Sequence, residues 1–82
     1  MYNSVKSAKY NTTVLRNQLK LMSKNILFIK AVNELMVKCK IEKNKALTFC
    51  KLSTREYNTI KTIYDNFYHE CEKFKMEILA NS

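Results

Sequence analysis

The sequence predicts an all-α protein, one small bundle of three to four helices with a long C-terminal helix over about residues 54–80. Three observations carry this reading. The chain has no Gly and no Pro among its 82 residues. Tight hairpins need Gly or Asn at positive φ and loops favour Pro and Gly, so a β architecture is poorly served. Ser53-Thr54-Arg55-Glu56 reads as a capping box, in which a hydroxyl and a carboxylate exchange hydrogen bonds with backbone amides. Behind it, Tyr57, Ile60, Tyr64, Phe67, Cys71, Phe74 and Ile78 recur at alternating spacings of three and four. That is an a/d stripe sustained over three heptads.

The remaining elements follow in order. Val14, Leu15, Leu19 and Met22 place a first helix over about 4–22. Asn11, Thr12 and Thr13 are weaker helix formers and allow a break or cap there. The segment before them, about 1–10, is expected to fray. A second helix is expected from Ser23 to Cys39, apolar on nearly all sides and therefore the central core helix. The charged run KCKIEKNK then reads as a solvated corner before a short third helix, about 42–50, with Ala46, Leu47, Phe49 and Cys50 as its apolar members. At this length one domain, 1–82, is the limit. So short a chain is marginal alone, so a homodimer is expected. The stripe from Tyr57 to Ile78 serves either as its seam or as the core face of the bundle. Tyr, Phe and Cys fit packed helices better than a two-stranded coil.

The net charge is +8, with 13 Lys but only 2 Arg. Basic charge points to an anionic partner. Lys, Asn, Ile and Tyr are all abundant and all have A/T-rich codons, so base composition offers a second explanation. The same bias suggests a phage, a plasmid, another mobile element or an A/T-rich host. Residues 1–33 contain no acid, whereas four of the seven acids lie from Asp65 onward. Three cysteines do not make a closed disulfide framework. The start, MYNSVKSAKYNTT, lacks the apolar core of a secretory leader. Ile26 to Val37 is too short to span a bilayer. The expected setting is a reducing cytoplasm, with no membrane partner.

Around the corner near 50–53, Ala46, Leu47 and Cys50 precede the turn, Leu52 lies in it, and Tyr57 and Ile60 follow. Over Glu42 to about Ile63 this spacing resembles helix–turn–helix regulators. The resemblance implies that Ser53, Thr54, Arg55, Asn58, Lys61 and Thr62 face outward toward duplex DNA. The residue types suit such contacts. Arg reads guanine, Asn reads adenine, and hydroxyls and a helix start meet phosphate. The pattern departs from such motifs in lacking a Gly in the turn, in the length of the following helix, and in Glu56 among the exposed positions. Plain packing of a helical corner produces the same spacing.

Other chemistry finds little footing. His69 and Cys71 lie two apart and cannot share a helix face, so no metal or other cofactor is expected. One His, no Gly-rich phosphate loop and no nucleophile elbow argue against an enzyme. Tyr2 and Tyr10 lie off the core spacing, in the basic segment, where aromatic rings can stack on bases. The expectation is a small basic DNA-binding transcriptional regulator, dimeric. The alternative is a non-catalytic helical module that binds and modulates a host or regulatory protein.

Overall fold

A computed structural model describes residues 4–49 and 51–81, with the side chain of Phe49 excepted. Tyr2 and Cys50 therefore lie outside the described residues, as does part of the corner. Among the described residues three α-helices form: α1, Ser4–Lys20; α2, Ile29–Phe49; and α3, Thr54–Ala80. A single 3₁₀ turn, Ile26–Phe28, precedes α2. No strand forms among the described residues.

Side-chain pairs set the topology. Asn11 Nδ2 donates to the Tyr64 hydroxyl at 3.3 Å, and Arg16 Nε meets Glu70 Oε2 at 2.7 Å. Both residue numbers rise together, so α1 and α3 run parallel. Lys43 Nζ meets Asp65 Oδ1 at 2.6 Å, and Lys40 stands over the Tyr68 ring. Those numbers run in opposition, so α2 is antiparallel to both. The body measures 45 × 18 × 14 Å between Cα extremes. A helix of 21 residues is about 31 Å long and cannot lie across that section. The corner at Lys51–Ser53 thus turns the chain back along itself. It does not set up the steep crossing through which a helix–turn–helix presents its second helix.

The long C-terminal helix starts and ends where the sequence places it. The Ser53 hydroxyl accepts from the Glu56 amide at 3.1 Å, and Glu56 Oε1 accepts from the Ser53 amide at 3.2 Å. Ser53→Ala should cost about 1 kcal/mol, seen as a lower urea midpoint, while Ser23→Ala in the first connection should not move it. Ile60, Tyr64, Phe67, Cys71 and Ile78 are buried, and Phe74 is half-buried. Tyr57 leaves the core and is 42% exposed, because the first turn of α3 lies level with the start of α1. The stripe is thus spent within the chain, and a homodimer would need another surface.

Two element boundaries differ from expectation. The expected second and third helices are one continuous α2, which runs straight through the charged stretch in place of a corner. Lys and Glu are good helix formers, and no Gly or Pro interrupts them. The segment 23–28 is not helical until its 3₁₀ turn, where Asn25 Oδ1 accepts from the Leu27 amide. Nor is α2 the central core helix. Val32, Leu35, Met36 and Cys39 are buried, but Val37 and Ile41 lie on the opposite, exposed side. α3 instead packs against both neighbours. No break occurs at Asn11–Thr13. The Thr12 and Thr13 hydroxyls donate back to the Ala8 and Lys9 carbonyls, which satisfies them inside a helix. Ser4–Tyr10 is helical, with Ser4 and Ala8 buried.

Candidate nucleic-acid interface

The level of Tyr64 divides the bundle into two halves. The half bearing the α2–α3 corner holds Lys6, Lys9, Lys43, Lys45, Lys51, Arg55 and Lys61 against only Glu42, Glu56 and Asp65. All three of these acids are engaged or withdrawn. Glu56 closes the capping box and Asp65 pairs with Lys43. Glu42 is half-buried, with one carboxylate oxygen fully covered and without a hydrogen-bond partner among the described residues. In the other half, Glu70, Glu77 and Glu72 pair with Arg16, Lys24 and His69.

Burial raises the Glu42 carboxyl above 4.5, against the pull of Lys38 and Lys45. The folded chain therefore holds this proton where the unfolded chain has released it. The contribution to stability is largest below 4.5 and is lost as pH rises through the folded value. Glu42→Met should raise Tm by a few degrees at pH 7, with the gain shrinking toward pH 4.5 in thermal melts of both proteins.

All six residues expected to meet DNA are exposed. They do not form one surface. Arg55, Asn58 and Thr62 line one open depression of about 390 Å³ on α3, together with Thr59 and Ile63. At 100° per residue, Thr54 and Lys61 lie on the α2 side of the helix instead. Ser53 is tied into the cap. Thr59 and Ile63 are additions that the sequence reading does not single out. Thr59 sits one turn after Arg55, and its hydroxyl donates to the Arg55 carbonyl at 2.8 Å, which leaves its methyl group to line the depression. From helical phase alone, Ile63 only widens the core stripe. The depression is thus a row of one cation, one amide and two hydroxyl-bearing side chains, with an apolar floor on one flank.

Two other clusters carry less chemistry. Cys39 and Cys71 are buried thiols. Burial pushes Cys39 up to about 11, helped by Glu42, and pushes Cys71 up to about 12, helped by Cys39. Because the thiolate is the reactive form, native protein at pH 8 should leave both unmodified by a disulfide reagent that labels them promptly in guanidinium; peptide mapping reads each site. His69 Nδ1 lies 2.9 Å from Glu72 on the exposed face of α3. Among the described residues, no three His, Cys, Asp or Glu side chains converge to hold a metal ion. No helix among them is long and apolar enough to cross a membrane.

No protein-family model matches this chain, and no characterised protein or solved structure is significantly similar to it.

Proposed function

We propose that the chain is a small DNA-binding regulator that meets duplex DNA with the outer side of the first three turns of α3. The observation that supports this reading is the row Arg55, Asn58 and Thr62 around one depression, in the half of the bundle where cations outnumber acids seven to three. An exposed helix face of this width fits a major groove, which is about 12 Å wide. Arg and Asn are the side chains that read base edges there, and the surrounding lysines meet phosphate. The docking differs from that of helix–turn–helix proteins: the face of a lengthwise helix enters the groove, not the tip of a steeply crossed one. A second copy, expected from the size of the chain, would dock away from the buried stripe.

The test is fluorescence anisotropy of a labelled random duplex with the full chain at about 50 mM and about 200 mM salt. Counterion release predicts binding at the lower salt and a drop of at least tenfold at the higher. No binding at about 50 mM salt would sink the reading.

A further inference from the structure

α1 is amphipathic on two sides. Its inner side buries Ala8, Leu15 and Leu19. Its outer side carries Tyr10, Val14, Asn17 and, in the closing turn, Leu21. Spacings of four, three and four put them in one row along the helix. All four are exposed, Tyr10 at 69% and Leu21 at 86%. α1 contains no acid, and Lys6, Lys9 and Lys20 run along one edge of the row. The row faces away from the bundle.

We propose that this row docks an amphipathic helix of a partner protein, with apolar side chains at a and d spacing and carboxylates along the edge that meets the lysines. The alternation of four and three is the register in which one helix seats its side chains between those of another. Charge selects among occupants. A second copy laid on this face would bring the lysines of one α1 against those of the other in an antiparallel pair, or against Ser7, Asn11 and Gln18 in a parallel one, and neither arrangement offers them a carboxylate. A bilayer surface also favours cations, but it favours a wide apolar face. This row is a single file and would sink Asn17 into hydrocarbon. In a helix–helix seam, one polar residue at such a position fixes register instead. The inference stands independently of the DNA reading, since Tyr10 and Leu21 take no part in the α3 depression.

The probe is a fluorescein-labelled three-heptad peptide with leucine at every a and d and glutamate at every e and g, titrated with the full chain. Two control peptides replace every glutamate by lysine or every leucine by serine. The acidic leucine peptide should bind at least tenfold more tightly than either control. Tyr10→Ser/Leu21→Ser should weaken it at least tenfold with an unchanged thermal melt, since both residues are exposed, while Arg55→Ala/Asn58→Ala should leave it unaltered. Equal binding of the three peptides overturns the proposal, as does a Tyr10→Ser/Leu21→Ser variant that binds like the parent. Two further results overturn it: a homodimer in sedimentation that Leu21→Ser abolishes, or Leu21-dependent binding to phosphatidylserine vesicles without peptide binding.

Discussion

Phe67→Ala should leave the chain largely unfolded at 37 °C. Phe67 is fully buried in the middle of α3, and the Arg16 guanidinium stands 5.6 Å from its ring centroid. Truncating such a ring costs about 3–5 kcal/mol, the lost transfer energy plus the cavity left behind. A chain of this length has about 4–12 kcal/mol of stability in total, and a small domain that buries little surface lies at the lower end, so the loss removes most of it. The ion pair between Arg16 and Glu70 is half-exposed and cannot compensate. Urea unfolding followed by circular dichroism gives the comparison. Met76→Ala, at an exposed position on the same helix, should shift stability by less than about 0.5 kcal/mol. Equal midpoints for the two variants would show that α3 does not supply the core.

Arg55→Ala/Asn58→Ala should reduce affinity for a preferred duplex at least tenfold and flatten discrimination among sequences. Each base-reading contact is worth about 1–3 kcal/mol of discrimination. Both side chains are exposed and line the same depression, so the melt should stay unchanged. Lys73→Ala is the control, because it removes one cation from the other half of the bundle. It should weaken all sequences slightly and alike. Anisotropy against a selected duplex and a scrambled one separates these outcomes. A double variant that keeps its sequence preference would place the base contacts elsewhere.

How much of the fold is legible in the sequence follows the range of the interactions involved. α3 is legible because its signals are local. Ser53 and Glu56 are three residues apart, and the stripe from Ile60 to Ile78 repeats within one helix. The middle of α2 is not, because a charged stretch marks solvation without marking a break. Lys40, Ile41 and Lys43 are good enough helix formers that nothing stops the helix there, and Ala46 and Leu47 pack against the core beyond them. The apolar run Ile26–Val37 misleads in the other direction. Ile26, Leu27 and Val37 are exposed, so density of apolar residues does not measure burial. The site divides in the same way. Exposure of Arg55, Asn58, Thr59 and Thr62 follows from helical phase, but that half-buried Ile63 leaves part of its side chain in the depression does not.

By itself, the sequence determined the helical class, the capped start of α3 and, Tyr57 apart, the residues that α3 turns to the core. A chain without Gly or Pro has few alternatives to helix, and caps and heptads act over a few residues. Only the tertiary structure decided that α2 and α3 lie side by side, that Tyr57 leaves the core, and that α1 carries a second apolar row facing outward. It also decided that cations from three helices gather around the corner. Those facts depend on which side of each helix meets its neighbours. Side chains distant in the chain, such as Asn11 with Tyr64 and Lys43 with Asp65, are brought level only when three helices share one core.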